Sequence, residues 1–128
     1  MYTERKTPMS KRILICDDTA AMLNFLRDTL TKGGYEVVGE ATDGKQAVEL
    51  YESLQPDLVL MDTVMPDTDG IQALKLIKQK DSNAHVIICS DIGQQKAVME
   101  ALKYGADDFI VKPFMGYKLL NTVSKYVK

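Results

Sequence analysis

The 128-residue sequence is sparing with the residues that staple small proteins or ligate metals, having two cysteines, one histidine and no tryptophan. Cys16 and Cys89 show neither C-x-x-C nor metal-type spacing. Each closes an apolar run, so both are expected as buried free thiols. His85 stands alone, whereas a zinc site needs several His or Cys ligands; it is read as a structural or solvated residue. No run of about 18 apolar residues occurs, so no membrane-spanning helix is expected. The net charge is −2, without the basic excess that marks a nucleic-acid binder. Met1 to Ser10 is polar and charged with no apolar segment, which excludes a secretory signal. A cytoplasmic location is the default expectation.

Apolar residues make up 45% of the chain and charged residues 27%, enough for an ordinary soluble core. The length suits one domain. A loose tail over 1–10 followed by a folded unit over 11–128 is the expected division, with Met9 an alternative start of the fold.

Short apolar runs alternate with longer amphipathic stretches. The runs are Ile13–Cys16, Val37-Val38, Leu58–Met61, Val86–Cys89 and Phe109–Val111. Most are continuous, as in strands covered on both faces. Between and after them lie helical stripes. Leu23, Leu26 and Leu30 share one face, closed by Gly33-Gly34. Ala47, Leu50, Tyr51 and Leu54 form the second, and Ile71, Leu74 and Ile77 the third. Val98, Ala101 and Leu102 precede Gly105; Leu119, Leu120, Val123 and Val127 make the last. Each stripe is expected to pack into the core. Five strand–helix units in sequence predict an α/β fold: a doubly wound parallel sheet of the flavodoxin-like (βα)5 kind, in strand order 2-1-3-4-5.

Open α/β sheets bind ligands beyond the carboxyl ends of their strands. Asp17-Asp18 follows the first run, Asp62 the third, Ser90-Asp91 the fourth and Lys112-Pro113 the fifth. In that strand order these four ends are neighbours on one rim; only the second run contributes nothing obvious. An Asp at one strand end is often just a helix cap. Four polar groups at four adjacent ends are harder to explain that way. Close carboxylates repel by on the order of 4 kcal/mol per pair at 4 Å and an effective dielectric of about 20. All-oxygen ligands therefore point to Mg²⁺, and Lys112 adds a fixed cation. A cation on each side suits a transferring phosphoryl group. Asp62, on the central strand, is the candidate nucleophile for an acyl phosphate, and the Ser90 hydroxyl can donate to a phosphoryl oxygen.

Three stretches, Ile13–Asp18, Met61–Gly70 and Phe109–Phe114, resemble the receiver domains of bacterial two-component response regulators. The likeness is greatest to the single-domain chemotaxis type and covers about Lys11 to Lys128. The strand order is itself a known property of such receivers, so it is no independent prediction. The resemblance implies that Asp62 accepts phosphoryl from a sensor histidine kinase or from small donors such as acetyl phosphate. It implies that Asp18, Asp62 and the Val64 carbonyl ligate Mg²⁺, with Asp17 acting through water. Ser90 and Phe109 are the implied switch residues, Lys112 pairs with the phosphoryl oxygens, and Lys112-Pro113 is cis. The face made by the fourth helix, fifth strand and fifth helix would then change its affinity for a protein partner.

Two departures bear on access to the site. The position after Ser90 is usually Ala or Gly in the family; here Asp91 either narrows the entrance and slows anionic donors or points to solvent. Val64 and Ile92, flanking the implied path of hydrolytic water, are apolar and predict a long-lived acyl phosphate. The leading expectation is a stand-alone, monomeric regulator of chemotaxis with no output domain after its fifth helix. Its output would run through a partner such as the flagellar motor switch, with no nucleic acid or membrane involved. A phosphorelay intermediate and the receiver of a larger regulator share this chemistry. An aspartyl-phosphate phosphatase would carry a second Asp where Val64 stands. A phosphorylation-independent pseudo-receiver would be expected to lack Asp62 or Lys112. The chain would thus catalyse only its own phosphorylation and dephosphorylation.

Overall fold

The computed structural model describes residues 11–66 and 68–127. The expected tail over 1–10 lies outside these residues. Strands and helices alternate: β1 (Arg12–Cys16), α1 (Ala20–Lys32), β2 (Glu36–Ala41), α2 (Gly44–Leu54), β3 (Leu58–Asp62), α3 (Gly70–Lys80), β4 (Val86–Asp91), α4 (Gln95–Lys103), β5 (Asp108–Lys112) and α5 (Gly116–Val123). The described strands form one parallel sheet in the order β2-β1-β3-β4-β5. The α/β fold and its strand order are as the sequence predicts.

Side chains alternate across each strand, and the central strands feed two cores. Val59 and Met61 of β3 face Ala47, Tyr51, Leu74, Ile77 and Ala101 of α2, α3 and α4. Leu58 and Leu60 of the same strand face Leu23, Leu26, Leu30, Leu119 and Val123 of α1 and α5. Every residue of β3 is buried, which is why its sequence is apolar until it reaches Asp62. Cys16 and Cys89 are buried free thiols. His85 is exposed beside Asp107, its Nδ1 3.4 Å from the carboxylate.

Two expectations about burial need correction. β2 and β5 are the sheet edges, and neither is covered on both faces: Val37 and Val38 are half-buried, and β5 alternates around buried Ile110. On α4, Val98 and Ala101 are buried, but Leu102 is 38% exposed. The sheet ends at β5, so the outer half of the α4 stripe has no strand beneath it. Leu50, Leu54 and Leu120 are only partly buried.

Candidate functional site

The carboxyl ends of β1, β3, β4 and β5 meet at one rim, and the turns behind them fix the acidic side chains. After β1 the chain enters α1 through Thr19, whose hydroxyl caps the helix by accepting from the Met22 N–H at 3.3 Å. Asp17 is buried. Its Oδ1 accepts from the backbone N–H and hydroxyl of Thr19 at 2.9 and 3.0 Å. Its own N–H donates to the Ala41 carbonyl at 3.0 Å. Asp18, one residue on, is exposed.

Asp62 ends β3 and is 4% exposed. The loop that follows is held from both ends. Gly70 opens α3 so close to the Asp62 carbonyl that an added Cβ would lie 1.8 Å from that oxygen. Gly44, at the start of α2, donates its N–H to the Thr68 carbonyl at 2.7 Å. Val64, two residues after Asp62, has a 55% exposed side chain, and its N–H lies 3.5 Å from Asp62 Oδ1.

One carboxylate oxygen from each of Asp17, Asp18 and Asp62 lies within 4.8 Å of the others. Lys112 answers this charge from the end of β5, with Nζ 2.8 Å from Asp17 Oδ2 and 3.4 Å from Asp62 Oδ1. Its peptide bond to Pro113 is cis. Burial pushes the Asp62 carboxyl up to about 6, with the Lys112 charge pulling it down and the Asp17 charge adding to the rise. Burial works against the Lys112 charge, but the Asp17 hydrogen bond and the Asp62 and Asp17 charges raise its pKa overall. Beneath the site burial pushes the Cys89 thiol up to about 12, and it raises that of Cys16 as well. Neither is a nucleophile at neutral pH.

Ser90 is buried on β4, and among the described residues its Oγ is the one buried side-chain oxygen or nitrogen without a hydrogen-bond partner. Buried hydroxyls are ordinarily satisfied, and an unpaired one suits a donor kept for an oxygen that the protein itself does not supply. Asp91 is exposed, and so is Ile92 at 76%. Phe109 is 41% exposed on β5 and borders a cleft of about 350 Å³ between α4 and β5, whose walls include Val98, Met99, Leu102 and Val111.

The donor set fits a small hard cation: three carboxylates around one point and no nitrogen or sulfur ligand. One one-residue slip of β3 would carry Asp62 to the opposite face. The register pairing Asp62 with Cys89 and Cys16 with Met61 fixes it in place.

Of the residues singled out in the sequence, Asp17, Asp18, Asp62 and Lys112 gather at this rim, and Ser90 is the last residue but one of β4, the strand beside Asp62. Phe109, Asp91 and Ile92 lie outward, toward α4. Four contributors carried no signal in the sequence reading: the Ala41 carbonyl, the Gly44 N–H, and the side chains of Thr63 and Gln94. The second strand end, which looked silent, acts through its backbone. Gln94 occupies the cap position of α4 without a side-chain cap bond; its Oε1 instead accepts from the Thr63 hydroxyl at 2.8 Å and the Asp91 N–H at 3.0 Å.

A doubly wound five-stranded sheet with an acidic triad, a lysine and a hydroxyl at one rim defines a receiver. The family model for the response regulator receiver domain matches residues 13–124, and the chain belongs to that family. Among its relatives is the Chemotaxis protein CheY of Thermotoga maritima, 52% identical over 94% of this chain and 100% of that protein. CheY of Bacillus subtilis is 53% identical over 91% of this chain and 98% of that one. A chain of the CheX-CheY-BeF3-Mg²⁺ complex from Borrelia burgdorferi superposes with a TM-score of 0.85 at 37% identity, covering 91% of this chain and 90% of its own. The response regulator domain of Thermotoga maritima CheB gives 0.83 at 37% identity, with coverages of 91% and 96%. These likenesses support a chemotaxis response regulator that works through protein partners. Among the described residues no helix is long and apolar enough to cross a membrane.

Proposed function

We propose that the chain is a phosphoacceptor switch: Asp62 takes a phosphoryl group from a sensor histidine kinase, and the α4–β5–α5 face reports the change to a protein partner. The observation that carries this reading is the pairing of a buried carboxylate, Asp62, with Lys112 3.4 Å away and an unpartnered Ser90 hydroxyl at the neighbouring strand end. An Asp62 oxygen attacks phosphorus, a P–O bond forms, the P–N bond to the donor histidine breaks, and the electron pair leaves with the imidazole. A carboxyl whose pKa stands near 6 is still ionised at neutral pH, and desolvation makes it the more reactive nucleophile. Lys112 offers its ammonium to the phosphoryl oxygens, and Ser90 donates to one of them.

Asp18, Asp62 and the Val64 carbonyl would hold Mg²⁺, with Asp17 acting through water. Mg²⁺ supplies charge neutralisation at the phosphoryl oxygens and among the carboxylates. Asp17 already has two partners, Thr19 and Lys112, which favours an indirect role for it.

The exposed apolar side chains of Met99, Leu102, Phe109, Val111 and Tyr117 lie on α4, β5 and α5 and offer apolar surface to a partner. With the CheY relatives in view, the flagellar motor switch is the first candidate partner. In this reading the protein is a cytoplasmic monomer that catalyses only its own phosphorylation and dephosphorylation. A phosphorelay intermediate would share the chemistry and differ in the partner. Titration with beryllofluoride and Mg²⁺ tests the reading, because beryllofluoride on a carboxylate stands in for the phosphoryl group. Saturable, Mg²⁺-dependent binding that is lost in Asp62→Asn is expected. A protein that ignores beryllofluoride is a phosphorylation-independent binding module.

A further inference from the structure

The turn between β4 and α4 must let Ser90 reach a group on Asp62, so whatever fastens that turn governs the switch. The turn closes on itself where the Gln94 N–H donates to the Asp91 carbonyl at 3.3 Å, and one side-chain oxygen ties it to the loop after β3. Gln94 Oε1 accepts from the Thr63 hydroxyl at 2.8 Å and from the Asp91 N–H at 3.0 Å. Thr63 follows Asp62 directly, and Asp91 follows Ser90 directly. A single amide thus joins the residue after the acceptor to the residue after the hydroxyl. Thr63 is buried, so its hydroxyl depends on this bond for satisfaction.

Gln94 forgoes an ordinary task to make the bridge. It caps α4 with its backbone carbonyl, which accepts from the Val98 N–H at 3.1 Å, while the side chain makes no cap bond and turns back over the loop. Ser, Thr, Asp or Asn would cap better, but a shorter side chain would not span both loops. Meanwhile Ser90 Oγ is buried with no partner, and Phe109 stands partly outward. The bridge therefore exists in a conformation where the Ser90 hydroxyl is not yet used.

We propose that Gln94 is a positioning residue that latches the β4–α4 turn to Thr63 and so holds the receiver in its resting conformation. This rests on the phosphoacceptor reading above. Releasing the latch lowers the cost of bringing Ser90 to the acceptor. A ligand's apparent affinity falls with the fraction of protein in its competent state, so removing a resting-state contact tightens binding. One hydrogen bond of ordinary net strength corresponds to about fivefold in that equilibrium.

The test is a ¹⁹F NMR titration of beryllofluoride at saturating Mg²⁺, with thermal melting of the ligand-free proteins alongside. Gln94→Met removes the acceptor while keeping length, Thr63→Val removes the donor while keeping shape, and Thr63→Ser keeps the hydroxyl. Gln94→Met and Thr63→Val are each expected to bind about fivefold more tightly while melting at a lower temperature. The double variant is expected to gain no more than either single one, because both break the same bridge. Thr63→Ser is expected to bind as the wild type does. A purely structural role would lower melting without tightening binding. Equal or weaker binding in both latch-breaking variants overturns the latch while leaving the phosphoacceptor reading intact. A wild type that binds no beryllofluoride overturns both.

Discussion

Replacing Asp62 with Asn should make the metal-free protein more stable, although it removes the central functional group. The reasoning starts from burial: the carboxylate sits among Asp17 and Asp18 with one lysine to answer them. Its pKa is about 6 in the fold against 3.8 as the ordinary value. A carboxyl raised on folding costs nothing when it is protonated in both states. The cost begins as pH passes the unfolded value near 4 and is complete above the folded value near 6. At about 1.36 kcal/mol per unit, the full cost is about 2–3 kcal/mol, and about 1 kcal/mol at pH 4.5. Asn has nearly the same volume and carries no charge, and Lys112 keeps its 2.8 Å bond to Asp17. Urea unfolding in EDTA at pH 4.5 and pH 7.5 measures both values. The variant should gain about 2–3 kcal/mol at pH 7.5 and about 1 at pH 4.5. Saturating Mg²⁺ should narrow the gap at pH 7.5 by stabilising the wild type more than the variant. A variant less stable than the wild type, or a gain that does not change with pH, would refute the account of the site as electrostatically strained.

Three further outcomes can be checked independently. Asp91→Ala should raise the initial rate of acetyl phosphate labelling by about two- to fivefold at low salt, with the gain shrinking as salt screens the carboxylate; equal rates would place Asp91 harmlessly in solvent. The acyl phosphate should persist for minutes or longer without a phosphatase, since the receiver resemblance puts apolar Val64 and Ile92 beside the path of the hydrolytic water, and a lifetime of seconds by quench-flow would contradict this. Gly70→Ala should cost about 3 kcal/mol or more by chemical denaturation, because its Cβ would drive the Asp62 carbonyl from its place, whereas a wild-type midpoint would show that the α3 start is free to shift.

The strand ends were readable in the sequence because polar residues close four apolar runs whose ends the strand order makes neighbours, where any one alone could be a helix cap. Asp17, Asp18, Asp62, Ser90 and Lys112 all announce themselves this way. Ala41 and Gly44 act through a carbonyl and an N–H, which every residue but proline possesses, so nothing in their side chains marks them. The bridge from Gln94 to Thr63 spans 31 positions, and only the folded chain makes the two neighbours. Leu102 shows a different limit. Helical spacing gives the direction in which a residue points but not what lies there, and the sheet runs out at β5 before it can cover the outer edge of α4. The half-buried pattern of β2 has the same origin, since a run of two valines does not reveal that its strand lies at an edge.

The central claim is that Asp62 carries a phosphoryl group, and intact-protein mass spectrometry after incubation with acetyl phosphate and Mg²⁺ tests it most directly. The wild type should gain the mass of one phosphoryl group, and the gain should vanish in EDTA and in Asp62→Asn, whose fold is expected to be intact. An unmodified wild type, or a variant labelled to the same extent, would contradict the assignment.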